Sequence, residues 1–195
     1  MTASTDRPDA RVYFRAQAYN NAWANHRLLG ACARLSPAAL SARRTSFFPT
    51  ILQTLNHIAT VDLFYISALE GACVGPAAFE PEFPYATIAT LDAAQRALDR
   101  RLIALCGALT PGGLGARIEL PRDGWVQRER ADRTLLHLFQ HQIHHRGQAH
   151  AMLAGTDVAP PQLDEFFPGD PRERALRADD MAALGLDEEM IWRDF

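Results

Sequence analysis

Apolar residues recur along this chain at three- and four-residue steps in four long stretches, the spacing that lines one face of an α-helix. The first, "PDARVYFRAQAYNNAWANHRLLGACARL", runs from about Pro8 to Leu35 and must stop before Ser36, which precedes a proline. The second opens near Pro49, a residue suited to a first helical turn, and carries Leu52, Leu55, Ile58, Ala59, Ile66 and Leu69 to a stop at Gly71. The third takes Thr90 as its N-cap, with Asp92 in the first turn, and continues through Leu98, Leu102, Leu105 and Leu109 until "TPGG" breaks it. The fourth spans about Ala131 to Ala154, with Gly155 at the following position.

Two segments break the helical rhythm. In "ARIELPRDGWVQRER", Ile118 and Leu120, a turn at Pro121 to Gly124, then Trp125 and Val126 predict a short hairpin or extended crossover. "GPAAFEPEFPY", with three prolines, predicts an irregular connection across one end of the helices. After Gly155 the chain turns proline-rich, with short helical turns expected around Ala175 to Ala183 and Asp187 to Trp192. Four amphipathic helices of similar length predict an all-α four-helix bundle. A single domain is expected over 1–195, its core at about 8–155 and a C-terminal extension at 156–195.

Composition narrows the function classes. Of 195 residues, 48% are hydrophobic and 22% charged, with a net charge of −3. That balance lacks the basic footprint of a nucleic-acid-binding protein. No segment reads as a signal core or a membrane span. Cys32, Cys73 and Cys106 are odd in number and fit no CxxC pattern, so they read as reduced, buried small hydrophobes. The expectation is a soluble cytoplasmic protein.

Histidine placement carries the chemistry. "HQIHHRGQAH", residues 141–150, holds four of the chain's seven histidines. His141 and His145 are four residues apart, so they share a helix face with a rise of about 6 Å between them. Two imidazoles so placed converge on one cation at roughly 2.0–2.1 Å per bond. His137 lies on the same stripe but about 12 Å from His145 along the axis, too far for the same ion. His144 points about 100° from His145, and His150 about 140° away. A third ligand must come from another helix, and His57, in "LNHIATVD", sits near the core face of the second. A core histidine is commonly a hydrogen-bonded packing residue, and an isolated HxxxH is commonly surface decoration. Together, on two helices, they point to a metal. A His57/His141/His145 triad leaves coordination positions open, as catalytic sites do. His26, His137, His144 and His150 are assigned surface or hydrogen-bonding roles.

Other metal and nucleophile chemistries fail on spacing. Gln142, not a glutamate, follows His141, so no zincin base is placed. No glutamate stands three residues before a histidine on two helices, as a ferritin-like di-iron site needs. No GxSxG occurs.

Around the triad, Asp62 lies about 140° from His57 on its helix, so it is no same-face ligand. It is expected either to anchor the "NNAWAN" segment of the first helix or to be a solvated or capping carboxylate. Gly147 implies close approach of another helix, within the chain or across a dimer. Arg146 and Gln148 read as a structural ion pair and an amide bridge. Trp23 and Tyr19 read as core, and Trp125 as packing or as a cover over the metal's mouth.

The string "LLHLFQHQIHHRGQAHAML", with "YNNAWANHRLL", "LNHIATVD" and "PPQLDEFF", closely resembles the signature of the DinB-like (DinB/YfiT) superfamily. The resemblance extends from about Tyr19 to Phe167 and departs from the usual pattern at Gln140, where asparagine is common, and at Phe64 and Tyr65, where tryptophan is. It implies a four-helix bundle, typically a homodimer, with a divalent metal, often nickel or zinc, on three histidines. Its ligand positions map onto His57, His141 and His145. Some relatives are thiol S-transferases or thiol-dependent isomerases using bacillithiol or mycothiol, and the family name records induction by DNA damage. The resemblance thus implies a metal-dependent enzyme, a thiol transferase or a hydrolase, that activates a small thiol or water. The alternatives are a non-catalytic metal-binding stress-response bundle and a metal-free dimerisation module.

Overall fold

The computed structural model describes residues 9–164 and 170–193. Its helices are α1 (Ala10–Cys32), α2 (Pro37–Ser41), α3 (Ile51–Leu69), α4 (Ile88–Gly107), α5 (Pro111–Gly115), α6 (Ala131–Leu153) and α7 (Pro171–Leu184). Strands β1 (Arg117–Arg122) and β2 (Trp125–Arg130) form an antiparallel hairpin just before α6.

Local chemistry sets most boundaries. Thr50 caps α3, its hydroxyl accepting from the Gln53 amide at 3.1 Å, so Pro49 lies before the helix and not in its first turn. Thr87, not Thr90, caps α4, because the hydroxyl three residues upstream accepts from the Thr90 amide at 3.2 Å. Gly71 ends α3 as expected, at φ +81°. "TPGG" does end α4, but Thr110 then caps the short α5 instead of opening a loop. The proline-rich connection contains a 3-10 turn at Gly75–Phe79. The expected turn at 175–183 is a longer helix, α7, because Asp170 caps it and Pro171 sits in its first turn. "PPQLDEFF" falls partly outside the described residues, as does Pro8.

The long helices pack in a ring, α1 against α4, α4 against α3, α3 against α6 and α6 against α1, which is a four-helix bundle. Leu28, Ile58, Ile66, Leu102, Leu135 and Leu138 fill its centre with essentially no exposure. α7 closes a second cluster, its Met181 grouped with Trp23 and Tyr19 of α1. The hairpin closes a third, in which Leu120 meets Phe64. Cys32 and Cys106 are buried as expected, whereas Cys73 is half-buried. Trp125 is 59% exposed at the hairpin tip, so it is not a packed residue. Gly147 faces outward with open space where a Cβ would stand, so no helix among the described residues approaches it closely. No helix among the described residues is long and apolar enough to cross a membrane.

Candidate metal centre

The α3–α6 seam brings His57, His141 and His145 together, with one ring nitrogen from each within 4.8 Å of the others. His57 comes from the middle of α3; the other two are successive turns of α6. His57 Nε2 and His141 Nε2 are 3.0 Å apart. Two nitrogens about 2.1 Å from a shared ion lie about 3.0 Å apart at right angles and about 3.4 Å apart in a tetrahedron. The observed pair already has that spacing. Drawing in the third nitrogen takes a movement on the order of 1 Å.

A hydrogen bond selects which nitrogen of His145 keeps its lone pair. The Gln148 carbonyl oxygen accepts from His145 Nδ1 at 2.8 Å, leaving Nε2 with its lone pair free. The Gln148 amide nitrogen donates to His144 Nε2 at 3.0 Å, so the amide bridges the two neighbouring histidines. Phe48 lids the cluster, its ring centroid 4.4 Å from that of His57 and 5.9 Å from that of His145.

The electrostatics favour neutral rings. Burial pushes His57 down to about 4, with a smaller contribution from His145. Burial, then the neighbouring His145 and His57, pushes His141 down to about 3. Burial also lowers His145, against the raising effect of the Gln148 hydrogen bond. Each neutral imidazole keeps one N–H and offers one lone pair at neutral pH, and that lone pair is what a cation requires. The His141 Nδ1 atom is buried without a hydrogen-bond partner among the described residues. A cluster of desolvated nitrogens that compete for so few protons fits a divalent ion.

The remaining histidines stay outside the triad. His137 stacks edge-on with Tyr65 at 5.2 Å and lies 6.1 Å, ring to ring, from His141. His150 donates from Nε2 to the Pro161 carbonyl at 2.9 Å and ties down the chain after α6. His26 accepts from Arg96 at 2.9 Å, far from the triad in the α1–α4 seam.

Behind α6 lies a buried polar network. Arg146 donates to the side-chain oxygens of Asn21 and Asn25, and both asparagine amides donate to Asp99. Gln95 donates from one nitrogen to Asp62 at 2.8 Å and to Asp99 at 3.2 Å. The Gln142 amide approaches Asp62 without reaching hydrogen-bond geometry within the described structure. Asp62 is therefore no solvated or capping carboxylate; it reaches the "NNAWAN" segment through Gln95 and Asp99. Burial pushes Asp62 and Asp99 above the ordinary carboxylate range and Arg146 below the ordinary guanidinium value. The network spans all four bundle helices and fixes the rotation of α6, on which His145 directly precedes Arg146.

Periodicity could not reveal the roles of Gln148, Phe48, Gln95 and Asp99. Only the Gln148 offset, three residues beyond His145, was visible as a same-face pair. No curated protein matches this chain. The model of the DinB family matches residues 10–175, the whole bundle together with the hairpin and the start of α7. The chain belongs to the DinB family.

Proposed function

We propose that His57, His141 and His145 hold one divalent ion, nickel or zinc, and that the protein is a metal-dependent enzyme of the thiol S-transferase kind. The observation that carries this reading is the 3.0 Å approach of two neutral imidazole nitrogens from different helices. One N–H···N hydrogen bond has the same spacing, and a shared cation accounts in addition for the third imidazole, whose ring nitrogen lies within 4.8 Å of both. A divalent ion held there supplies Lewis acidity, which lowers the pKa of a thiol or water beside it and makes a nucleophile available at neutral pH.

The chain's own residues prepare the site. Gln148 holds His145 in the tautomer that leaves the Nε2 lone pair for an ion. Phe48 shields one side from water, which strengthens every charge interaction inside. The depressed pKa values keep the rings unprotonated well below neutrality. Three protein ligands leave a position for the substrate, which separates a catalytic site from a closed structural one. The family resemblance extends this reading to a cytoplasmic homodimer with one domain per chain.

The test is conjugation of low-molecular-weight thiols to a model electrophile, with nickel or zinc supplied and with a chelator. Ion-dependent turnover that His141→Ala abolishes is the expected result. Tight ion binding with no turnover for any thiol or water substrate would leave the non-catalytic metal-binding bundle.

A further inference from the structure

A cavity of about 480 Å³ is lined by Arg44, Thr45, Ser46, Phe47, Gln148 and Met152 among others, two of which are neighbours of His145. Gln148 hydrogen-bonds His145, and the Phe47 ring centroid is 6.4 Å from that of His145. Phe47 is 76% exposed, a large apolar surface left in solvent at the mouth of the site.

The polar side of this cavity is built around one cation. Arg44 Nη1 donates to the carbonyls of Ala39 and Ala42, each at 2.9 Å, and the Arg44 amide donates to Pro49 at 2.7 Å. Those bonds fix the guanidinium against the α2–α3 loop but neutralise none of its charge. No carboxylate lies within ion-pair distance of it among the described residues. Beside it stand the hydroxyls of Thr45 and Ser46, for which the described structure shows no hydrogen bond. A second cavity, of about 250 Å³ under the hairpin, makes the contrast. Its arginine, Arg133, pairs with Glu129 at 3.2 Å, and it meets His137 rather than a triad member.

We infer that the Arg44 cavity is the substrate's recognition subsite, and that it takes the carboxylate end of a small molecule whose other end reaches the three histidines. A single fixed guanidinium matches one carboxylate in charge and in bidentate geometry, and two hydroxyls can complete its hydrogen bonds. Phe47 and Met152 suit the short aliphatic stem between the two ends. This inference rests on the reading that the ion sits among His57, His141 and His145, and names the substrate class for that site: a thiol that also carries a carboxylate.

The test is an NMR titration of isotope-labelled, zinc-loaded protein with 3-mercaptopropionate and, separately, its neutral counterpart 3-mercapto-1-propanol. The acid is expected to bind about tenfold more tightly, the scale of one charge-assisted contact, with amide shifts at Thr45, Ser46 and Gln148. Arg44→Gln should erase that preference and Arg44→Lys should restore part of it. Because Arg44 braces a loop, Ser46→Ala, which leaves the brace intact, should also reduce the preference. Equal affinity for the two thiols, or a preference that survives both Arg44→Gln and Ser46→Ala, overturns the inference. Propionate added to metal-free protein separates the two readings. Failure to take up zinc sinks the metal site, while the presence or absence of propionate shifts at Thr45 and Ser46 still decides the subsite.

Discussion

Gln148 and His145 are joined by a 2.8 Å hydrogen bond in which the imidazole Nδ1 donates and the side-chain carbonyl accepts. The bond fixes the tautomer of His145 and leaves the lone pair on Nε2. Gln148→Leu removes the acceptor and is expected to weaken zinc binding about 10- to 100-fold in a chelator competition. Gln148→Glu keeps an acceptor and should stay near wild type. Unchanged affinity in the leucine variant would show that His145 needs no such support.

The buried network predicts a stability effect distinct from metal binding. Arg146→Met leaves Asp62 and Asp99 in the core without their cation, and is expected to cost about 3–5 kcal/mol in urea denaturation at pH 8. Adding Asp99→Asn should recover part of the loss. A cost below about 1 kcal/mol would mean that the carboxylates are satisfied without Arg146.

Gly147 offers the opposite sign. It is exposed on α6 with open space where a Cβ would stand. Gly147→Ala is therefore expected to stabilise the protein by about 0.5–1 kcal/mol, through restricted freedom of the unfolded chain. Denaturant midpoints of the two proteins check this. A lower midpoint for the alanine variant would place a second copy of the chain against this face.

Acidity acts through the histidines with a definite sign. In the metal-free protein His57 and His141 are held at about 4 and about 3, below the value of about 6.5 for an unfolded imidazole. The folded state thus binds fewer protons than the unfolded state across that window, and their contribution to stability falls as pH drops from 6.5 toward 4. Asp62 and Asp99, raised by burial, contribute in the opposite direction. The histidine part is read as the stability of wild type minus that of His141→Leu, measured with a chelator present. That difference should grow between pH 5 and pH 7. A difference independent of pH would contradict the burial of neutral rings.

Much of this architecture was legible in periodicity because its causes are local. Three- and four-residue apolar spacing placed all four long helices, and the i,i+4 pair His141 and His145 announced a shared face. Helix starts shifted by up to three residues, since Thr50 and Thr87 each offered a cap that competed with a nearby alternative. Residues that act by tertiary contact stayed hidden. Asp99 and Gln95 read as ordinary polar positions of α4, and only the packing of four helices makes them partners of Asp62 and, through the asparagines, of Arg146. Gly147 misled for a related reason: an inner-facing and an outer-facing helical glycine carry the same local signature.

The most direct measurement is elemental analysis of the protein purified without a histidine tag and then incubated with nickel or zinc. About one divalent ion per chain is expected for wild type and for His150→Ala, and a large loss for His57→Ala, His141→Ala and His145→Ala. A wild-type protein that holds no ion after incubation, or a His57→Ala variant that keeps its ion in full, contradicts the account.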